Sequence, residues 1–401
     1  MLADALFLQL GYNATLVAVG AALLGLSAGV TGTFLFLRKR ALVSDAISHA
    51  TLPGVGLAFL LLVALGGDGR SLIGLMLGSA VSAWVGLLCV SWLTRRTRLA
   101  EDAAIGAVLS VFFGFGVVLL TVIQTLSSGR QAGLEGFLLG STAGMLWNDA
   151  LIIALGGAVT LALVMLWRRP MTLVAFDPDY AQAQGVPVGR FDLAMMGLVM
   201  AVTVVGLKIV GLILIVALLI IPPVTARFWT EQADRVVWLS GLIGGVSAYM
   251  GAAISASAPN LPTGPIIVLT SFAFFAFSLF LAPNRGLLAA VLRYRQFQRR
   301  VHLRQGLLAL AQGQPIYERL TLRLLQRAGL ARADGVATDE GRARAAKALR
   351  DEKRWEIVRA DHAHEGAAER YDGLTEIEAV LTPDQIAEID RRIGGPQGVP
   401  A

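Results

Sequence analysis

Long apolar runs alternate with short polar breaks up to about residue 284, and there the pattern stops. Nine runs stand out, at residues 16–37, 51–66, 71–93, 103–126, 149–167, 191–207, 209–226, 236–254 and 263–283. A helix rises about 1.5 Å per residue, so roughly 20 apolar residues cross a hydrocarbon core about 30 Å thick. Several runs fall short of that and need flanking residues, tilt or a broken helix. A further short apolar stretch, 134–147, reads as a partial or re-entrant element, tolerable at membrane depth only against protein or a water-filled cavity. The pattern predicts an all-α polytopic membrane protein with eight or nine transmembrane helices.

Three polar or proline-bearing breaks have shapes of their own. In the loop 168–190, Asp177 can cap a helix, Pro178 fits its first turn, and Gly185 with Pro187 ends it. That spells a short helix with an exposed polar side, equally a linker or a contact for a partner protein. Pro222 and Pro223 lie inside an apolar run, where they interrupt backbone bonds and free carbonyl groups for a polar solute or for helix packing. Residues 257–265, with Pro259, Pro262 and Pro265, read as an outer loop entering the last span.

Composition agrees with the pattern. Mean hydropathy is +0.66 and 55% of residues are apolar. Residues 1–284 hold 26 charged side chains, whereas the shorter segment 285–401 holds 36, so a membrane domain precedes a water-soluble one. Forty-four glycines, with pairs such as Gly25 and Gly29 or Gly74 and Gly78, suit helices that approach closely. The one cysteine, Cys89, rules out an intramolecular disulfide and a thiolate metal cluster. The first helix is read as retained, because no basic region and cleavage signature precede it.

Loop charge orients the bundle. With Arg38–Arg40, Arg95–Arg98, Arg168–Arg190 and Arg227–Arg235 inside, eleven of the fourteen Lys and Arg residues before position 285 are cytoplasmic. This places the N-terminus outside and the charged tail inside, and it requires residues 191–226 to cross twice, turning near Lys208.

The candidate chemistry sits at the mouth of the second span. Asp45 and His49 are four residues apart and share a helix face, and His49 is the only histidine in the first 284 residues. An acid beside an imidazole within a membrane protein is a candidate ion or proton site.

Arg40-Ala41-Leu42-Val43-Ser44-Asp45-Ala46-Ile47-Ser48-His49-Ala50-Thr51-Leu52-Pro53-Gly54-Val55, the loop Asp177 to Pro187, the stretch Val210 to Ala226 and Pro262-Thr263-Gly264-Pro265 together resemble the membrane permease subunit of bacterial ABC importers for zinc, manganese and iron. The resemblance covers roughly residues 10–285. It implies an inner-membrane permease, paired with itself or a homologous permease, standing on cytoplasmic ATP-binding subunits and fed by an extracytoplasmic metal-binding protein. Asp45 and His49 match the family's acid and histidine on the translocation route, as a gate or a transient contact for Mn2+, Zn2+ or Fe2+. Two side chains make no tight cage, which suits release. Asp177, Pro178, Ala181 and Gly185 match the ATPase-coupling helix, with the two small residues allowing close docking. Pro222 and Pro223 mark a helix break in the pathway region. The chain has no phosphate loop followed by Lys and Ser or Thr, so it is not itself the ATPase, and metal is substrate rather than a resident cofactor.

The remainder divides into a basic connector over 286–300 suited to anionic lipid, a domain over 301–349, and a helical tail over 350–401. The order helix, helix ending at Gly329, short hairpin, helix resembles the winged-helix module of the iron- and manganese-dependent repressors, followed by their sensing and dimerisation helices. A cytoplasmic winged-helix α/β domain is therefore expected. Ala379 stands where the repressor pattern has a ligand histidine. His362, His364 and Glu365 remain as tail metal contacts, although two histidines two apart diverge on a helix. Twenty basic against sixteen acidic residues in the tail argue against nucleic acid as a partner. The leading expectation is a divalent-metal importer permease with manganese preferred. The alternatives are a membrane-anchored metal sensor and a permease for another small solute.

Overall fold

The computed structural model describes residues 7, 9, 11–67, 71–125, 145–258, 261–360 and 365–393, and the chain divides into two compact units, Met1–Ala289 and Ala290–Ala401. The first unit is a helical bundle of α1 (Tyr12–Leu37), α2 (Ala41–Ala64), α3 (Leu72–Arg96), α4 (Glu101–Thr125), α5 (Trp147–Phe176), the short α6 (Pro178–Ala183), α7 (Val188–Trp229), α8 (Ala233–Ala256) and α9 (Thr263–Leu281). Among the described residues eight helices are long and apolar enough to span a membrane, the sixth being Val188–Leu207 of α7; the rest of α7, Ile213–Trp229, is shorter. The stretch 134–147, apart from its last three residues, lies outside the described residues.

Helix α1 is central, packing on α8, α7 and α5. Its contacts with α8 and α7 are set by the absence of side chains: a Cβ on Gly25 would run into the Gly244 carbonyl oxygen of α8, and one on Gly32 into the Leu219 carbonyl oxygen of α7. The Ser240 hydroxyl then reaches across to donate to the Gly29 carbonyl at 2.6 Å. Small residues that bring backbones together are how helices associate where lipid is as apolar as leucine.

Helix α7 reverses direction at Gly211, whose φ of 79° and ψ of 172° leave the helical region. Asp192, near its start, pairs with Arg38 at the end of α1, while Gly206 lies beside Leu24. A Cβ on Gly206 would also sit 2.6 Å from Ile215 Cδ1, although nine residues of unbroken helix would span about 13.5 Å. Residues 213–229 therefore run back along the first half toward the Arg38 end. Pro222 and Pro223, the expected break, lie within this returning helix, both buried. They withhold N–H groups from the carbonyls of Leu218 and Leu219 without interrupting the helix.

Ion pairs gather the basic loops at one end of the bundle. Arg38 and Arg40 meet Asp192, Arg40 meets Glu101, Arg168 meets Asp234 and Arg285 meets Glu231. This end carries the four basic loops that the charge pattern assigns to a single side.

The second unit is helical too. It contains most of α10 (Leu287–Ala311), then α11 (Arg319–Arg327), α12 (Asp339–Ala360), α13 (Glu365–Ala368), a 3-10 turn (Ile377–Ala379) and α14 (Pro383–Ile393). One core joins Trp355, Val358, Ile377, Leu381 and Ile389; another joins Leu325, Leu330 and Ala331 with Leu303, Leu307 and Leu310. Around the first, Arg354 pairs with Asp351 and Asp390, and Arg304 with Glu352, which also accepts from the Tyr371 hydroxyl.

The winged-helix expectation fails here, and with it the resemblance to the repressors. No β-strand occurs among the described residues; the place of the wing holds one isolated bridge between Ala331 and Ala337. The physical reason is length. The turn Arg332–Gly335, closed by a hydrogen bond from Gly335 N–H to the Arg332 carbonyl, uses nearly all the residues between the bridge partners, and α12 starts at Asp339. A ladder needs several paired residues on each arm and here has one. Among its described residues the unit is helical instead of α/β.

Candidate translocation and coupling sites

Helix α2 begins at Ala41, ten residues before the apolar run at 51 that announced it, so Asp45 and His49 belong to its first turns. Its hydroxyl residues are satisfied locally: Ser44 donates to the Ala41 carbonyl at 2.7 Å and Ser48 to the Ser44 carbonyl at 2.8 Å, both side chains buried. Asp45 and His49 lack that option. Nε2 of His49 stands 3.5 Å from Oδ1 of Asp45, with the side chains 20% and 37% exposed, so the pair is reachable yet too far apart for a good hydrogen bond. Nδ1 of His49 is buried and makes no hydrogen bond among the described residues. The Phe113 ring of α4 meets the imidazole edge-on, 5.0 Å between centroids.

Pro53 lies within α2, four residues after His49, so the His49 carbonyl receives no N–H from it. Carboxylate, imidazole nitrogen and freed carbonyl thus fall within two turns of one helix. No group of three or more His, Cys, Asp and Glu side chains capable of holding a metal occurs among the described residues. Two or three hard-to-borderline donors are too few to retain an ion.

Helix α6 forms as its residues dictate. The Asp177 carboxylate accepts from the Tyr180 N–H at 2.9 Å, Pro178 starts the first turn, and Gly185, with φ of 79°, ends it while the Val186 N–H bonds back to the Ala181 carbonyl at 2.9 Å. Ala181 points inward, fully buried against a cluster that includes Val30, Phe34 and Val174. Asp179, Tyr180, Gln182 and Ala183 stay exposed and form the outward face.

His362 and His364 lie outside the described residues, and of Glu365 only the backbone, at the first residue of α13, is described. The sequence reading passed over Asp192. An acid in the second turn of α7, among the arginines of the basic loops, is the signal that points to it.

Residues 12–282 match the family model "ABC 3 transport family". The chain is 40% identical over 308 residues to the manganese transport system membrane protein MntC of Bacillus subtilis, covering 77% of this chain and 70% of that protein. It is 40% identical over 285 residues to the zinc transport system membrane protein TroC of Treponema pallidum, covering 71% and 94%. Among solved structures, PsaBC from Streptococcus pneumoniae in complex with Fab is similar with a TM-score of 0.61 and 31% identity, over 71% of this chain and 98% of that one.

Proposed function

We infer that this chain, which belongs to the ABC 3 transport family, is the membrane permease of an ATP-driven importer of divalent metal ions. It is the non-catalytic subunit: ATP is hydrolysed by a partner. The metal is cargo. Manganese is the preferred ion, on the strength of the relatives named for it, with zinc and iron as neighbours in the same donor chemistry. An extracytoplasmic binding protein delivers the ion, a second permease subunit completes the pore, and the cytoplasmic ATPase docks on the exposed face of α6. Inward-facing loops then lie at the Arg38 end, with the second unit in the cytoplasm.

The observation that carries the pathway reading is the Asp45/His49 pair, loosely paired and reachable, with an unpartnered imidazole nitrogen beside it. An ion entering between them replaces a weak contact with two ligand bonds and leaves again, because among the described residues no third acid or histidine closes the shell. Pro222 and Pro223 free two more carbonyls on the returning half of α7, one of which meets Gly32 of α1. The test is uptake of Mn2+, Zn2+ and Fe2+ in competition by vesicles holding the permease, its ATPase and its binding protein. Asp45→Asn should lower uptake roughly tenfold, a loss of about 1.4 kcal/mol, with assembly intact. Unchanged metal flux in a variant lacking both Asp45 and His49 would remove them from the pathway.

A further inference from the structure

Between α1 and α2 the chain turns on Lys39, whose φ of 58° is left-handed although the residue is not glycine. The turn is closed by the Arg40 N–H bonding back to the Leu35 carbonyl at 2.9 Å, and it sends the arginines on either side of Lys39 to one carboxylate. Arg38 Nη2 lies 2.9 Å from Asp192 Oδ1, and Arg40 Nη1 lies 3.0 Å and 2.8 Å from the two oxygens of Asp192. Arg40 Nε reaches Glu101 Oε1 at 2.6 Å, and Arg38 Nη1 donates to the Val174 carbonyl at 3.1 Å. The series Arg38, Asp192, Arg40, Glu101 alternates in sign, and Arg95 is the further cation lining the small cavity beside Arg40.

The places that these groups occupy matter more than their number. Val174 is in the last turn of α5 and Asp192 in the second turn of α7, so the arginines hold both legs of the hairpin whose tip is α6. Arg40 is the N-cap of α2, five residues before Asp45, and Glu101 opens α4, which carries Phe113 against His49. The two arginines are 15% and 22% exposed and Asp192 16%, so the charges are partly withdrawn from water and their geometry is held more firmly than a surface pair's.

We propose that Arg38 and Arg40, joined through Asp192 and Glu101, are positioning residues that transmit displacement of α6 to α2 and its Asp45/His49 pair. This rests on the reading of α6 as the ATPase-docking helix. A push on α6 moves the ends of α5 and α7; the shared carboxylate moves with them, and the arginines carry the N-terminus of α2 and the start of α4 along. One guanidinium bonded to two carboxylates, and one carboxylate to two guanidiniums, make the four helix ends move as a set.

The experiment compares the unaltered chain with Arg40→Gln, Asp192→Asn and the conservative Arg40→Lys, each assembled with its ATPase and binding protein. Hydrogen exchange over residues 41–52 is followed on adding the ATPase subunit, and Mn2+ moved per ATP hydrolysed is measured in proteoliposomes. In the unaltered chain the ATPase should change exchange over 41–52. In Arg40→Gln and Asp192→Asn that change should vanish and metal moved per ATP should fall at least fivefold, with ATP hydrolysis and the amount of assembled complex kept; Arg40→Lys, which keeps a cation for Asp192, should retain part of both. An Arg40→Gln chain that still answers the ATPase at 41–52, or that loses exchange response and hydrolysis only in proportion to lost assembly, overturns the proposal. Failure of the ATPase to bind the unaltered chain, or binding blocked by nothing on α6, instead strikes the docking reading itself.

Discussion

Lys39 is the residue at which local strain and function meet. A left-handed φ costs a residue with a Cβ about 1 kcal/mol, and glycine adopts it freely. The strain is accepted because the turn places Arg38 and Arg40 side by side on Asp192. Lys39→Gly should therefore raise thermal stability by up to about 1 kcal/mol in a melt of the purified complex, offset in part by the greater freedom of glycine in the unfolded chain, with metal uptake unchanged. A fall in uptake would mean that the Lys39 side chain itself takes part. Asp45 and His49 differ from Lys39 in how much the sequence reveals. Their spacing of four places them on one helix face by arithmetic alone, and the structure brings them to 3.5 Å. That the imidazole keeps a buried nitrogen unpartnered, and that Phe113 of a separate helix abuts it, depends on tertiary packing that no local pattern encodes.

Among the elements, the instructive one is α7. Charge counting required a turn near Lys208, while the double proline suggested the break some dozen residues later. The reversal is at Gly211. Proline removes one N–H and can stay inside a helix, whereas φ of 79° with ψ of 172° is a conformation essentially reserved for glycine and admits no helix at all. Gly211→Ala is expected to destabilise the fold by about 1 kcal/mol or more, read as a lower melting temperature of the detergent-solubilised protein. Pro222→Ala should cost far less. The wing was misread for a related reason: a glycine-closed turn between two short segments looks the same in sequence whether one residue pairs or five. The helices of the second unit were legible in their order, and their ion pairs set a pH response. The Arg354 guanidinium holds the Asp390 carboxyl below the usual aspartate range; burial raises Glu352, but hydrogen bonds from Arg304 and Tyr371 together with the charges of Arg304 and Arg359 outweigh it and lower the carboxyl. A carboxylate whose folded value is depressed contributes stability at neutral pH and loses it as pH falls through that value. Protection factors over residues 339–393, corrected for intrinsic exchange, should thus drop only below the ordinary carboxylate range. In Asp390→Asn the drop should already be present at pH 7.

At the scale of the whole molecule, sequence and structure meet in a single asymmetry. Eleven of the fourteen Lys and Arg residues before position 285 belong to loops that the folded bundle gathers at the Arg38 end, and the reversal at Gly211 is what makes this parity possible. If α7 crossed once, everything after it would exchange sides, and Arg227, Arg235 and the tail would face the opposite compartment from Arg38. The pairs Arg168 with Asp234 and Arg285 with Glu231 join loops before and after the reversal to that same end. Basic loops stay in the cytoplasm because positive charge resists translocation, so the Arg38 end is expected inside and Leu65, at the end of α2, outside. With Cys89 replaced by serine, a single cysteine at Lys39 or Gly335 should react with an impermeant maleimide only after the membrane is opened, and one at Leu65 should react in intact cells. Labelling of position 335 from outside would reverse the second unit, and with it the side from which an ATPase can reach α6.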